Sequence, residues 1–330
     1  MNAKRVLVYG ATGHTGRFVV DELRRRGLTP VPAGRRATGL GLDDPDALRR
    51  ALADVDAVIN CAGPFLDTAL PLARGAVEAG VHYLDVTAEQ PAVEELYREL
   101  DAPAGAAGVS VVPAMAFYGG LADLLVTAAL DGQTEADDVE VAIGLDRWWP
   151  TAGTRVTGAR NTATRRVIRG GALVPLADPA PTGTRTYPEP LGEQEVVELP
   201  FSEVILVDRH LAVGELRSYL NTAPLDDLHD TDTPPPTATD ERGRSAQRFV
   251  VDVVVRRGDE TRRRTASGRD IYAVTAPIVV EGAVRLLDGR HRGAGALAPG
   301  EAFDATDVLA ALERDGIDQV PSGCDVGGAA

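Results

Sequence analysis

The chain has 330 residues, of which 44% are hydrophobic, enough for one large domain or two modest domains with a real core. Its net charge of −15 argues against a nucleic-acid partner, and its two cysteines, Cys61 and Cys324, supply neither a disulfide framework nor a metal-binding spacing. No apolar run reaches the roughly 20 residues of a membrane span, and no signal peptide is visible, so we expect a cytoplasmic protein without a membrane span.

The first predicted elements are a strand, a glycine-rich turn and an amphipathic helix. Residues 6–9 are a short apolar run typical of a buried parallel strand, and Gly10, Gly13 and Gly16 follow. Gly10 permits a tight exit from the strand, Gly13 lets a pyrophosphate approach the backbone, and Gly16 allows helix and strand to pack closely. The pattern predicts a dinucleotide-binding turn at a helix N-terminus. Its GxxGxxG spacing is less specific than GxGxxG, so a turn without a ligand remains the alternative.

A second strand is predicted over residues 29–33, and it leads into Gly34, Arg35 and Arg36. NAD enzymes carry an acidic residue here that binds the ribose 2′-hydroxyl, whereas this chain carries two arginines. Guanidinium groups can bind a 2′-phosphate through paired, charge-assisted hydrogen bonds. The sequence therefore favours NADP(H) over NAD(H). The alternative is a pair of solvated surface arginines.

Strands and helices continue to alternate along the N-terminal part of the chain. The predicted elements are a helix over residues 46–53, a strand over 56–60, a helix over 70–79, a strand over 82–85, a helix over 91–100 and a strand over 109–113. Five strands alternating with helices predict an α/β fold with a doubly wound parallel sheet. Ligands of such sheets bind at the carboxyl ends of the strands.

Two strand-end loops are candidates for that edge. Residues 61–65 are mostly small, so the nicotinamide half of a cofactor could lie against their backbone. Cys61 has no obvious activating base nearby, and we interpret it as a packing residue. The loop over residues 113–120 precedes a helix predicted over 121–130 and contains one proton donor, Tyr118. A tyrosine with the ordinary pKa of about 10 can act as a general acid. Asp123 could cap or steady this loop.

The remainder of the chain changes character. A strand over residues 139–145 would begin a second domain, and Trp148 and Trp149 beside Arg147 form either a substrate wall or an interface plug. The other expected elements are a helix over 153–169, a loop over 177–190, strand or strand-plus-helix segments over 199–207, 212–220 and 248–256, a mobile polar segment over 231–244, a last strand over 262–267, and helices over 271–287 and 306–314.

Several of these stretches together resemble the saccharopine dehydrogenase-like reductases, which include trans-acting enoyl reductases of polyketide lipid pathways. The similar stretches are VYGATGHTGRFV, AGRR, VINCAGPF, GVHYLDVTAE, VVPAMAFYGGLADLL, DIYAVTAPIVVEGAVRLL and GALAPGEAF. The resemblance implies a Rossmann-like domain, an inserted α+β domain that often dimerises, and a returning C-terminal helix. The expected division is residues 1–132 plus 271–330 for NADP binding, and residues 133–270 for substrate binding and dimerisation.

The resemblance also implies roles for individual residues. Gly10, Thr12, Gly13, Thr15 and Gly16 match the family's phosphate turn, Arg35 its 2′-phosphate position, and Ala62, Gly63 and Pro64 the strip beside the nicotinamide. The full set of expected cofactor-binding residues also includes His14, Arg36, Asp43, Cys61, Phe65 and Asp85. Asp85 and Glu89 match the family's Tyr-x-Asp-x-x-x-Glu stretch, and Asp123 matches the aspartate that ends its Gly-Phe-Asp-Ser-x-Pro-Ser-Asp loop. Within that loop the chain departs from the family at Ala116, Tyr118, Gly119 and Leu121.

These features predict an NADPH-dependent, dimeric reductase of a small or carrier-linked metabolite with a C=N or conjugated C=C bond. Tyr118 is the first candidate for the proton donor, and Asp123, His82 and Tyr272 follow. Packing is the favoured interpretation for His82 and Tyr272. Lys4 is the only lysine, which argues against the lysine chemistry of true saccharopine dehydrogenases. An NADP(H)-binding sensor or scaffold, or a redox-neutral enzyme that keeps the cofactor, remains the alternative.

Overall fold

The computed structural model describes residues 3–321, and its first sheet has six parallel strands. Their spatial order is β14 (Gly295–Ala296), β5 (Ser110–Val112), β4 (His82–Asp85), β3 (Ala57–Asn60), β1 (Arg5–Tyr9) and β2 (Thr29–Ala33). Side chains of β1 alternate between the two faces of the sheet: Val6 and Val8 enter one apolar core, and Leu7 and Tyr9 the other. The predicted α/β fold with a doubly wound parallel sheet is confirmed.

Helices cover both faces of this sheet. They are α1 (His14–Arg25), α2 (Arg35–Thr38), α3 (Pro45–Leu52), α4 (Phe65–Glu78), α5 (Gln90–Ala107) and α6 (Ala122–Leu130), joined later in the chain by α10 (Thr275–Leu287), α11 (Pro299–Ala302) and α12 (Ala305–Glu313). Helix α10 packs against α1, β3 and β4, so the expected return of a C-terminal helix to the first sheet is confirmed. Within residues 3–321, no helix combines the length and the apolar character needed to cross a membrane.

The second sheet has nine strands and is mostly antiparallel. Its main path runs through β15 (Asp318–Pro321), β13 (Glu260–Arg269), β12 (Arg248–Arg257), β6 (Glu135–Leu145), β11 (Ala212–Asn221), β10 (Glu193–Glu198) and β9 (Thr182–Thr186), with a hairpin of β7 (Arg166–Arg169) and β8 (Ala172–Pro175) beside β11. Its helices are α7 (Ala152–Arg160), α8 (Glu203–His210) and α9 (Ala223–His229). Because β15 joins this sheet, sheet membership departs from the expected assignment of residues 271–330; the division into two domains stays a prediction.

Three expectations for the second half were wrong. The helix expected over residues 153–169 ends at Arg160, and the β-branched pair Val167 and Ile168 lies buried in β7 instead. The loop expected over 177–190 contains β9, whose polar sequence pairs with β10. The strand expected over 262–267 is not the last, since β14 and β15 follow it. β7 and β9 each pair with the strand that follows them, β8 and β10, whereas β14 and β15 pair with the distant strands β5 and β13.

Candidate cofactor and active site

The glycine turn after β1 has the geometry of an anion site. A Cβ atom on Gly16 would lie 2.2 Å from the carbonyl oxygen of Gly10, so α1 passes as close to the strand as only glycine permits. Helix α1 begins after Gly13 without a side-chain cap and without an acidic residue in its first turn. Within the described chain, the backbone N–H groups of His14, Thr15 and Gly16 have no hydrogen-bond acceptor. These donors and the positive end of the helix fit a pyrophosphate.

The adenosine end of the site is formed where β2 ends. The Gly10 N–H donates to the Ala33 carbonyl at 3.0 Å, which joins this end to the glycine turn. Arg35 and Arg36 open the short helix α2, are exposed, and form no ion pair with any residue of 3–321. Burial raises the pKa of the Tyr9 hydroxyl, Arg35 lowers it and Asp43 raises it, so both charged groups act near this tyrosine. Two guanidinium groups without an ion pair among residues 3–321 therefore lie where the sequence predicts a 2′-phosphate site.

The segment from Cys61 to Phe65 lies directly against the turn. A Cβ on Gly10 would approach the Ala62 Cβ to 2.9 Å, and the Cys61 N–H donates to the Tyr9 carbonyl at 2.8 Å. Burial raises the pKa of the Cys61 thiol, which keeps it protonated and fits a packing role. The structure thus brings the expected nicotinamide strip and the expected phosphate turn to the same edge of the sheet.

Helix α7, from the part of the chain that forms the second sheet, contacts this strip. A Cβ on Gly63 would come within 2.7 Å of the Thr157 hydroxyl, which belongs to α7. Arg160, at the end of α7, donates to the Asp67 carboxylate on α4 through both terminal nitrogens. Nothing in the local sequence indicated that α7 would cover the strip.

Asp85 is fully buried, and both its oxygens are engaged. One oxygen accepts the N–H groups of Thr87 and Ala114 at 3.0 and 2.8 Å, and the other accepts the Tyr83 hydroxyl at 3.0 Å. Burial raises the pKa of Asp85 to about 6 against the lowering effect of these hydrogen bonds. Asp85 therefore positions the loop after β5, and the structure gives it no free oxygen for a cofactor.

Tyr118 lies in a π-helical turn, Phe117–Leu121, directly before α6. Such turns are rare and are often found at functional sites. Its ring contacts the rings of Phe117, Phe201 and Trp148 at centroid distances of 4.9, 4.2 and 5.8 Å. The hydroxyl is buried and has no hydrogen-bond partner among the described residues. Burial raises its pKa well above the ordinary value, so the proton stays on the oxygen at neutral pH.

Tyr272, shortly before α10, forms hydrogen bonds with Trp148 and Thr154. Its hydroxyl accepts the Trp148 Nε1–H at 3.1 Å and lies 2.9 Å from the Thr154 Oγ1. Its ring meets the His14 ring edge-on at 5.3 Å, and the buried Nε2 of His14 has no partner within the described chain. Trp148 is buried and contacts both Tyr118 and Tyr272, and its role as a substrate wall or an interface plug stays a prediction.

The two other proton-donor candidates are His82 and Asp123. His82 lies away from the strand-end loops, and both carboxylate oxygens of Asp123 are engaged. His82 is the first residue of β4, at the edge opposite the strand-end loops, and its Nδ1 accepts the Ser110 N–H at 3.1 Å. Burial lowers the pKa of His82 to about 4, and this position agrees with the packing interpretation that the sequence favoured. Asp123 is fully buried; one oxygen contacts His210 Nε2 at 2.8 Å and the other accepts the Gly300 N–H at 2.7 Å. It therefore steadies α6 and does not reach a substrate.

The sequence analysis missed two residues of this region, Gln90 and Arg165. Gln90 is buried and bridges the two halves of the chain: its amide donates to the carbonyls of Arg166 and Phe201 at 2.9 Å and accepts the Arg166 N–H at 2.8 Å. Arg165 lies with its guanidinium over the Phe201 ring. Neither residue stands in a motif, so only the folded chain reveals them.

Comparisons with known proteins agree with this geometry. Residues 6–112 match the family model described as the saccharopine dehydrogenase NADP binding domain. The predicted resemblance and the predicted nicotinamide dinucleotide cofactor are therefore confirmed for this segment, which carries the phosphate turn and the strip over residues 61–65.

Two curated relatives and one solved structure are similar. A probable mitochondrial saccharopine dehydrogenase-like oxidoreductase of Arabidopsis thaliana is 27% identical over 34% of this chain and 31% of its own length. A saccharopine dehydrogenase-like oxidoreductase of Bos taurus is 25% identical over 36% of this chain and 35% of its own length. The match thus spans about a third of each curated relative. The apo saccharopine dehydrogenase (L-Glu forming) of Saccharomyces cerevisiae shares the fold over 97% of this chain and 100% of its own, with a TM-score of 0.65 and 13% identity.

Proposed function

We propose that the protein is an NADPH-dependent reductase in which Tyr118 supplies the proton. The observation that carries this proposal is the unpartnered, buried Tyr118 hydroxyl in the loop after β5, at the same sheet edge as the phosphate turn and the strip from Cys61 to Phe65. A buried hydroxyl without a partner costs free energy, and a site for a reacting atom explains why it is retained.

Each part of the site has its own role in the proposed reaction. Bound NADPH would supply the hydride, which is the chemistry of the cofactor. The N-terminus of α1 binds the pyrophosphate, and Arg35 and Arg36 bind the 2′-phosphate. Helix α7 contacts the strip at Gly63, and the Trp148 ring packs beside Tyr118. The Tyr118 hydroxyl holds the proton that a reduced C=N or conjugated C=C bond must take up.

The proposal extends to substrate and context. The substrate is a small or carrier-linked metabolite, and the protein acts as a homodimer in the cytoplasm. The aromatic walls from Phe117, Trp148 and Phe201 around Tyr118 support an unsaturated, partly apolar substrate group.

Cofactor binding tests the proposal first. NADPH and NADH are titrated into the purified protein by fluorescence, and the double variant R35A/R36A is compared with wild type. Loss of paired, charge-assisted hydrogen bonds should weaken NADPH binding by about tenfold or more and leave NADH binding unchanged. The matched control is R49A/R50A, which removes two adjacent exposed arginines from α3.

Each outcome has a definite meaning. Equal NADPH affinity in R35A/R36A would remove the two arginines from cofactor recognition. Absence of binding of either nucleotide to the wild-type protein would overturn the reductase proposal as a whole.

A further inference from the structure

Arg165 is a mostly buried arginine that lacks an acidic partner. Its guanidinium carbon lies 5.0 Å from the centre of the Phe201 ring, and its Nη1 donates to the Pro200 carbonyl. Within residues 3–321 it forms no ion pair, and its Nε and Nη2 donate to no described residue. The Nε–Nη2 edge of the guanidinium is therefore unengaged.

Arg285 is the one arginine of residues 3–321 that is buried, and it is paired, as is the half-buried Arg169. Arg285 donates to Glu281 and Asp307 at 2.8 Å each, and Arg169 donates to Glu198 at 2.6 Å. Pairing is the normal state of a buried charge, because desolvation without a counter-charge is expensive. Arg165 has no carboxylate partner, and neither has the half-buried Arg155, whose Nη1 and Nη2 donate to carbonyls. Arg165 differs from Arg155 because its Nη2 has no acceptor among residues 3–321.

Glu203 does not fill the gap. Its carboxyl oxygens accept the Phe201 N–H at 3.0 and 3.1 Å, and it forms no ion pair with Arg165. Burial raises the pKa of Glu203 to about 7, which weakens it further as a counter-ion near neutral pH. Burial lowers the pKa of Arg165, whereas Glu203 and Tyr118 raise it, which places the three groups in one electrostatic neighbourhood.

The position of Arg165 connects it to the proposed site. The Phe201 ring contacts both side chains: its centre lies 5.0 Å from the Arg165 guanidinium carbon and 4.2 Å from the centre of the Tyr118 ring. Gln90 holds this arrangement in place through its hydrogen bonds to Arg166 and Phe201. The Arg165 guanidinium, with its unengaged edge, and the Tyr118 side chain, with its unpartnered hydroxyl, thus contact the same aromatic ring.

We propose that Arg165 binds a carboxylate group of the substrate through its free Nε–Nη2 edge. The inference rests on the proposed reductase function for the identity of the bound molecule as substrate. A planar carboxylate matches the two parallel N–H groups of a guanidinium edge. Aromatic walls and a single guanidinium suit a planar monoanion better than a phosphate dianion, which calls for more donors.

The test measures binding without turnover. Benzoate, its neutral analogue benzamide and inorganic phosphate are titrated calorimetrically into the full chain, with and without NADP+. Wild type should bind benzoate at least about tenfold more tightly than benzamide, the loss expected for a hydrogen-bonded charge. R165Q should abolish this preference, and R165K should keep part of it because the charge remains without the fork.

Controls separate recognition from folding. R166Q is the matched control, because the Arg166 guanidinium contacts Glu94 and the Leu173 carbonyl, away from the Phe201 ring. R166Q should retain the full preference for benzoate. R165Q loses the hydrogen bond to the Pro200 carbonyl and the contact with the Phe201 ring, and it also removes a mostly buried charge without an acidic partner, so it should unfold close to the wild-type temperature. A clear loss of stability in R165Q would assign Arg165 to the framework and overturn the proposal.

The remaining outcomes are decisive. Equal binding of benzoate and benzamide to wild type, or no binding of either, overturns the carboxylate site; tighter binding of phosphate overturns the choice of a carboxylate. Failure of the reductase proposal is recognised separately by the nucleotide titration. A protein that binds NADPH but does not discriminate benzoate refutes only the role of Arg165.

Discussion

The hydroxyl groups of Tyr118 and Tyr272 should respond in opposite ways to removal. The Tyr118 hydroxyl is buried without a partner, and an unsatisfied buried polar group costs roughly 1–3 kcal/mol. Tyr118→Phe keeps the ring and its contacts, so the free energy of unfolding should rise by about 1 kcal/mol or more. Turnover should fall by about 10²–10⁴-fold, the usual contribution of a general acid, with NADPH affinity unchanged.

Tyr272→Phe is the matched comparison. Its hydroxyl contacts Trp148 Nε1 at 3.1 Å and Thr154 Oγ1 at 2.9 Å, so its removal leaves a buried indole N–H without an acceptor. The free energy of unfolding should fall by about 1–3 kcal/mol.

Urea unfolding followed by circular dichroism measures both changes, and NADPH oxidation measures turnover. A less stable Tyr118→Phe variant would show that the hydroxyl has a partner in the folded protein, and unchanged turnover would exclude it as the proton donor.

Two further predictions concern the framework of the site. The pKa of Asp85 rises from the ordinary 3.8 to about 6 on folding, so its contribution to stability is complete below pH 4 and is lost as the pH rises through 6, by about 3 kcal/mol. Asp85→Asn should flatten this window in urea titrations from pH 4 to 7, and an unchanged pH profile would refute the burial argument. Gly16→Ala places a Cβ 2.2 Å from the Gly10 oxygen, and should abolish NADPH binding and cost more than about 2 kcal/mol of stability. Gly158→Ala on α7 meets no atom within 4 Å and should stabilise by about 0.5–1 kcal/mol; similar effects of the two alanines would contradict the close approach.

The first half of the fold could be predicted because its signals are local. The glycine turn, the arginines after β2 and the alternation of strands and helices each lie within a few residues, and β4 begins and ends where the sequence predicted. Helix α4 is an instructive exception: it begins at Phe65, five residues earlier than expected. The N–H of Phe65 donates to the Glu89 carboxylate at 2.8 Å, and this cap comes from a residue 24 positions away.

The second sheet resisted prediction because some of its strands have no apolar or alternating pattern of their own. Strand β9 has the polar sequence TGTRT and exists through its pairing with β10. The site could not be predicted in full either. Arg165 and Phe201 are distant in sequence, and hydrogen bonds from Gln90 hold the segments that carry them. Residue type alone cannot reveal an unpaired arginine, because the absence of a partner is a property of the fold.

One segment after β4 connects these observations. Asp85 holds the loop that leads to Tyr118, Glu89 caps the helix that follows the strip over residues 61–65, and Gln90 fixes the Phe201 turn. The two carboxylates of the family-like Tyr-x-Asp-x-x-x-Glu stretch accept backbone N–H groups, which explains how these charged residues can be buried. The segment from the end of β4 to the start of α5 thereby forms hydrogen bonds with three separate parts of the chain. They are the strip over residues 61–65, the loop that leads to the candidate proton donor, and the Phe201 turn that the Arg165 guanidinium contacts.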